Sequence, residues 1–331
     1  MSAYYDDIYV NFAIVFYQNG NWAEAEKLKV EVMKKRQHLL GPAHPDSLII
    51  MGNLAAIYQN QGKWTEAEVL QVEVIVKAMQ VLGLAHPDTL ANMGNLALTY
   101  QYQGKWTEAE RLQVKVMEKT QQLLGSAHPD TLRSMGNLAV TYHHNGKWTE
   151  AEKLQVEVMV QRQQLLGPAH PDTLISMGNL ASIYRDQGKL TGAENLQVEV
   201  MMKRQHLLGP AHLETLNSMG DLALMYRDQG KLTEAEKLQV EVMVQRQQLL
   251  GLAHLDTLSS MGNLALTYGD QGKWTEAEQL QVEVMKKRQQ LLGPTHPKTL
   301  SSMGNLALTY ISQGKQTEAG TIVNELVTSL M

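Results

Sequence analysis

The sequence predicts an all-α, right-handed superhelical solenoid of about eight helix-turn-helix units, and three observations predict it. A block of 42 residues returns along the 331-residue chain without insertion. Glycine punctuates it at Gly20, Gly62, Gly104, Gly146, Gly188, Gly230, Gly272 and Gly314. Between these glycines, apolar residues fall three and four apart, which gathers them on one helical face. Units of this kind bury their stripes only against neighbours. The chain therefore reads as a single array, with units near 1–41, 42–83, 84–125, 126–167, 168–209, 210–251, 252–293 and 294–331.

The first unit starts without the loop that opens the others. Tyr9, Phe12, Ala13 and Phe16 are spaced for one face of a helix that stops at Asn19-Gly20. A second helix is expected from about Trp22 to Leu40, ending at Gly41. Gly41 and Gly62 occupy helix C-termini, where a left-handed residue is favoured and glycine adopts it without steric penalty. In the second unit Pro45 opens a helix where a missing N–H costs nothing. Asp46 lies in its first turn, against the positive helix end. Leu48, Met51, Leu54, Ala55 and Tyr58 form its apolar stripe.

Gly62-Lys63-Trp64 makes the turn, and Thr65-Glu66-Ala67-Glu68 reads as a capping box. Ala67, Leu70, Val74, Ala78 and Leu82 share one side of the helix that follows. Its QVEV string alternates like a strand, but length, cap and terminal glycine favour a helix. Lys34-Lys35-Arg36 and Lys286-Lys287-Arg288 suit the negative end of a helix. In the eighth unit Thr317-Glu318-Ala319-Gly320 lacks the second glutamate, so the last helix should start less firmly. It finishes on Leu326, Val327, Leu330 and Met331, apolar where a polar cap is expected. The array ends are thus expected to meet another domain, another copy or further chain, with self-association through the terminal repeats as one outcome.

Hydrophobic residues make up 44% and charged residues 19%, a globular balance. A net charge of −5 gives no basic footprint, so no nucleic-acid partner is expected. There is no cysteine, which excludes disulfides and thiolate metal sites and fits a reducing compartment. The opening MSAYYDDIYVNF lacks the layout of a signal peptide, and no apolar run approaches a membrane span. A cytoplasmic protein without a membrane partner is the expectation.

The unit resembles the tetratricopeptide repeat. Met51, Leu54, Ala55 and Tyr58 match its first helix, Gly62 and Trp64 its turn, and Ala67 its tight helix–helix contact. The fit recurs at Met135, Leu138, Ala139, Tyr142, Gly146, Trp148 and Ala151 and covers nearly the whole chain. The LGPAHPDTL connection is similar to the lengthened repeats of kinesin light chains and nephrocystin-like proteins. The near-identity of the copies resembles arrays in fungal and bacterial NOD-like nucleotide-binding receptors. Two departures stand out. Gln71, Gln113, Gln155, Gln197, Gln239 and Gln281 stand where many such repeats place an aromatic residue. Gly52, Gly94, Gly136, Gly178, Gly220, Gly262 and Gly304 lie mid-helix at about 1 kcal/mol each, which points to close approach by a helix or a ligand, or to plain duplication.

The resemblance implies a ligand in the concave groove of the first helices. The groove residue is Asn53, with Asn11, Asn95, Asn137, Asn179, Asp221, Asn263 and Asn305 in the same register. An amide both donates and accepts, so a row of them can pair with an extended peptide backbone. Each Asn bonding its neighbouring helix is the structural alternative. Offsets of three, four and seven add Arg133, Tyr102, His144, Asp186 and Asp228 to that face, beside His143, Arg185 and Arg227. These positions differ among copies whose core is repeated. Such variation suits a selective surface, although drift at exposed sites produces it too.

Chemistry finds little support. His44, His86, His128, His170, His212, His254 and His296 recur one per unit in the same loop, with no second ligand at metal spacing, so they read as structural. Gly62-Lys63 lacks the glycine cradle and the Ser or Thr of a phosphate loop. No nucleophile is grouped with a base, and no enzyme activity, cofactor or metal is expected. The function expected is a non-catalytic protein–protein interaction scaffold that binds a protein or peptide segment in its groove. The sensor array of a nucleotide-binding receptor is one setting; a kinesin-light-chain-like cargo adaptor and a homotypic assembly element are the alternatives.

Overall fold

The computed structural model describes residues 2–330, with side chains from 9 to 329. These residues form sixteen α-helices and no strand. The chain falls into two compact units, Met1–Gln161 and Arg162–Met331. The first holds α1 (Ser2–Gln18), α2 (Trp22–Leu40), α3 (Pro45–Asn60), α4 (Trp64–Val81), α5 (Pro87–Tyr102), α6 (Trp106–Leu124) and α7 (Pro129–His144). The second holds α9 (Pro171–Asp186), α10 (Leu190–Leu208), α11 (Leu213–Asp228), α12 (Leu232–Leu250), α13 (Leu255–Asp270), α14 (Trp274–Leu292), α15 (Pro297–Ser312) and α16 (Gln316–Leu330). The boundary falls inside α8 (Trp148–Leu166). Within each unit, consecutive helices pack as a stack of helical hairpins.

Each first helix ends in a motif that reverses the chain. Gly62 has φ 75°, its N–H donates to the Gln59 carbonyl, and the Lys63 N–H donates to the Tyr58 carbonyl at 2.9 Å. This paired 5→2 and 6→1 arrangement caps orphan carbonyls, and glycine supplies the positive φ. The second helix ends differently. Gly41 has φ 94° and ψ 156°, outside the expected left-handed helical region and in territory open essentially to glycine alone. The carbonyl of Gly41 accepts a 2.9 Å bond from the Ser47 hydroxyl, and Gly125 and Thr131 repeat the bond at 2.7 Å.

The loop histidines are helix N-caps. The N–H of Asp46 donates to His44 Nδ1 at 3.2 Å, and His86, His128, His170, His212, His254 and His296 each accept in the same way. An accepting Nδ1 must be unprotonated. The ring takes the part that Ser or Asp usually plays at this position.

The capping box does not form. The second helix begins at Trp64 on Lys63, which has no side-chain cap bond, so Thr65 is already inside the helix and exposed. Glu68 reaches the next repeat instead: Oε2 accepts from Lys105 Nζ at 2.7 Å and Gln103 Nε2 at 2.8 Å. Lys105 also lies 5.4 Å above the Tyr100 ring, within cation–π range. The same clasp joins Lys63 to Glu26 and Lys147 to Glu110 in the first unit. In the second it joins Lys231 to Glu194, Lys273 to Glu236 and Lys315 to Glu278. The repeated Gly-Lys is therefore an inter-repeat fastening. Gly320 departs from the pattern by lacking the clasp carboxylate, not a cap.

Met51, Leu54, Ala55, Ala67, Val74 and Ala78 are buried as the spacing predicts. Phe12 is not. It is 57% exposed, whereas its equivalents Leu54, Leu96 and Leu138 are buried, because no helix precedes α1 in the described chain to cover that face. In α16, Ile322 and Leu326 pack on Met303 and Leu306, while Val327 is exposed. The Leu330 side chain and Met331 lie outside the described residues.

Candidate peptide-binding groove

The polar row expected on the first helices is present on one face. Asn53, Asn95 and Asn137 are exposed on α3, α5 and α7. Asn179, Asp221, Asn263 and Asn305 hold the same register on α9, α11, α13 and α15 and keep solvent contact. Among the described residues, the Asn95 and Asn137 side-chain amides make no hydrogen bond; their backbone carbonyls accept side-chain bonds, that of Asn95 from Thr99 and Gln59 and that of Asn137 from Thr141.

Two cavities open on this face of the first unit. One, of about 540 Å³, lies between α5 and α7 over α6 and is lined by Asn95, Asn137, Arg133, Gln113, Thr120 and Leu98 among others. The other, of about 250 Å³, lies between α3 and α5 over α4 and is lined by Asn53, Asn95, Ile49 and Ala78 among others. Every residue of the smaller has its equivalent 42 positions on in the larger. They are one site repeated, sharing α5 as a wall.

The mid-helix glycines do not mark close helix contact. A Cβ at Gly94, Gly136, Gly220, Gly262 or Gly304 would meet nothing within 4 Å, and Gly94 lines the larger cavity. The cost of glycine there leaves open space on the groove face.

The remaining expected residues sit toward the ends of the first helices and are engaged within the protein. Tyr102 stacks on Trp64 at 4.8 Å, and His144 stacks on Trp106 at 5.0 Å. Arg185 pairs with Asp186 at 3.1 Å and Asp228 at 3.5 Å, and Arg227 pairs with Asp270 at 3.4 Å. These charges link successive first helices of the second unit. Arg133 stands at the rim of the larger cavity, its Nη2 donating to Asp130 Oδ1 at 2.8 Å.

A set of residues escaped the sequence reading. In the second unit an arginine near the end of α8, α10, α12 and α14 crosses to the next first helix. Nη1 of Arg162, Arg204, Arg246 and Arg288 donates to Ser176, Ser218, Ser260 and Ser302 at 2.9, 2.8, 2.7 and 2.8 Å. It also donates to the backbone carbonyl of Asp172, Glu214, Asp256 or Lys298. Nη2 of Arg246 reaches Asn217, and Nη2 of Arg288 reaches Ser259. Burial holds Arg162, Arg246 and Arg288 below the usual guanidinium range. Arg288 is thus a strut across the groove floor and more than a charge near a helix terminus. Its recurrence on the 42-residue period was the available signal.

The Gln series is buried as a polar floor. Thr99 donates to Gln71 Oε1 at 2.6 Å and accepts from Gln59 at 2.6 Å, while Gln197 donates to the Ser218 carbonyl at 2.9 Å. Gln113 is 1% exposed and neither its Oε1 nor its Nε2 has a partner.

Among the described residues no cluster of His, Asp or Glu could hold a metal, and no helix is long and apolar enough to cross a membrane. Two tetratricopeptide repeat models match the chain, one over residues 4–75, 88–154 and 136–201, the other over 215–256, 257–298 and 299–319. No curated protein matches. Among solved structures, the nearly identical TPR-like repeats of a kinesin-light-chain-type protein from Podosopora anserina share 31% identity at TM-score 0.52, covering 62% of this chain and 97% of that one. The apo quorum sensor NprR of B. thuringiensis is 15% identical at TM-score 0.64, covering 98% and 87%. NprR in complex with its cognate peptide NprX is 17% identical at TM-score 0.56, covering 82% and 73%.

Proposed function

Because this chain belongs to the tetratricopeptide repeat family, we propose that it is a non-catalytic interaction scaffold whose first helices bind an extended peptide segment of a partner protein. The observation that carries this reading is the pair of equivalent cavities astride α5, edged by the Asn53, Asn95 and Asn137 amides, the larger one also floored by Gln113 and Thr120. An extended strand presents a donor and an acceptor at alternate positions, and a free primary amide answers both. The peptide complex of NprR, a protein of the same fold, supports the reading.

The test is selection of ligands for the full chain from a random-peptide display library, followed by titration of the enriched peptide. Asn95→Ala/Asn137→Ala is expected to weaken it about tenfold or more, since two hydrogen bonds of about 1 kcal/mol each are lost. Unchanged affinity in a folded variant, or no enriched peptide at all, overturns the reading.

The near-identical copies support a place in the sensor array of a NOD-like receptor, which a nucleotide-binding domain encoded in the same transcript would support. The 31% identity to a kinesin-light-chain-type protein supports the cargo-adaptor alternative. Exposed Val323 and Val327 on α16 support self-association, which sedimentation across a concentration series measures.

A further inference from the structure

The larger cavity exists because one side chain differs from its copies. The position that carries Arg162, Arg204, Arg246 and Arg288 in the second unit carries Thr120 here, and Ala78 in the smaller cavity. Each arginine of the second unit ends on a serine hydroxyl and a backbone carbonyl. The equivalents of those two acceptors are Ser134 and Asp130, and both line the cavity above Thr120. The protein thus displays, in four copies, the group that suits this space.

We infer that the cavity over α6 is a pocket for an arginine side chain of the bound peptide, its guanidinium taking the seat that the protein's own arginine fills in the second unit. This deepens the peptide-binding reading above and rests on it. Gln113 lines the cavity floor with both polar atoms of its buried amide unpaired, which marks the cavity as polar at its base. It is a reporter and not a partner: Oε1 of Gln197, Gln239 and Gln281 stays unpaired beside Arg204, Arg246 and Arg288, so an arginine anchored in this seat does not pair with that amide.

Leu90, Leu98 and Val116 provide an apolar wall for the methylene stem. Arg133 does not occupy the seat: it is exposed at the rim, and its charge is matched by the Asp130 carboxylate. The smaller cavity is the poorer host, because Asn92 replaces the serine and donates its amide to the Asp88 carbonyl at 2.8 Å.

The experiment uses the full chain and the acetylated, amidated peptide Ala-Ala-Arg-Ala-Ala, with lysine, glutamine and citrulline versions, titrated while the Gln113 side-chain amide is followed by NMR. The arginine peptide is expected to shift that amide and to bind at least tenfold more tightly than the other three. Thr120→Arg, which installs the residue that five other copies carry, is expected to abolish the shift and raise the melting temperature. Ser134→Ala, which keeps the cavity open and removes an acceptor of the seat, is expected to weaken the arginine peptide about tenfold.

Equal binding of citrulline or glutamine overturns the guanidinium assignment. Binding that survives Thr120→Arg in a folded chain overturns the pocket itself. If display-selected peptides still depend on Asn95 and Asn137 in either case, the groove reading stands while this inference falls.

Discussion

The two compact units share a backbone plan and differ in how they fill the floor of the groove. In Arg162–Met331, Arg204, Arg246 and Arg288 pin each second helix to the next first helix, and Nη2 of Arg246 and Arg288 also reaches the first helix before it. In Met1–Gln161, Ala78 and Thr120 leave that space as cavities, and Thr120 shares a single 2.8 Å hydrogen bond with Ser134. Arg36 keeps the arginine, yet Ile50 stands where the serine would be, and Arg36 Nη1 lies 3.9 Å from an Asp46 carboxylate oxygen. A solenoid holds together in both versions because its core lies between the helices of each hairpin and the second helix of the hairpin before. The groove floor is therefore free to vary, and the second unit uses it for stability where the first keeps it open.

The sharpest way to break this contrast is to exchange the residues. Arg246→Thr should cost the second unit about 2–3 kcal/mol, since charge-assisted bonds to Ser260, the Asp256 carbonyl and Asn217 vanish together. Arg246→Lys should recover less than half, because an ammonium cannot span three acceptors held in a planar fork. Urea unfolding of each variant measures both. A loss below about 0.5 kcal/mol for Arg246→Thr would mean that burying the guanidinium cancels its bonds, and the arginines would then be neutral filler.

A second pair separates helix stability from ligand space. Gly94→Ala and Gly262→Ala should each add about 1 kcal/mol, because neither new methyl meets an atom within 4 Å. Only Gly94→Ala should also weaken a groove-bound peptide, since Gly94 lines the larger cavity. Equal effects of the two on binding would detach the cavity from the function.

The period, the helix pairs, the positive-φ glycines and the structural role of the loop histidines were legible because each is a local event on a 42-residue clock. The Asn row was legible through one helix face. The arginine struts were not, although they recur as regularly, because the bond from Arg162 to Ser176 spans 14 residues and crosses a loop. No helical periodicity pairs such positions. The capping box misled for a related reason. The turn from Tyr58 to Lys63 sets the helix start one residue before any hydroxyl, and it releases Glu68 for a partner 37 residues away. Phe12 misled because face and burial coincide only where a neighbour covers the face.

The lysine–glutamate clasp is shared by both units and so provides the control. Glu68, Glu194, Glu236 and Glu278 are held below the ordinary carboxylate range, first by the hydrogen bond from lysine. A folded value below the unfolded one stabilises the fold above the ordinary carboxylate range, and that contribution is lost as pH falls through the lowered value. Glu68→Gln and Glu236→Gln should each lower the melting temperature by about 1–2 °C at neutral pH and by nothing once the clasp is protonated. Thermal scans from neutral to acidic pH check this, and a deficit that persists in acid would make the loss one of packing.

The smallest expected effect has the opposite sign. Asp221 stands in the second unit where all the other copies carry asparagine. Its carboxyl is raised, chiefly because the surrounding helices strip it of bulk water even though its surface still meets solvent; Arg204, Arg185 and Arg246 oppose that shift, and Glu214 adds to it. A folded value above the unfolded one means that the ionised group costs stability above the raised value, and the cost is relieved as pH falls through it. Asp221→Asn should therefore raise the melting temperature at neutral pH by on the order of 1 °C, with the gain shrinking on acidification. Two arginines of the second unit's struts, Arg204 and Arg246, are among the three that face this carboxylate, so the sign of the result weighs their attraction against its desolvation. A fall in melting temperature at neutral pH would mean that attraction wins, and Asp221 would then belong to the struts that distinguish this unit.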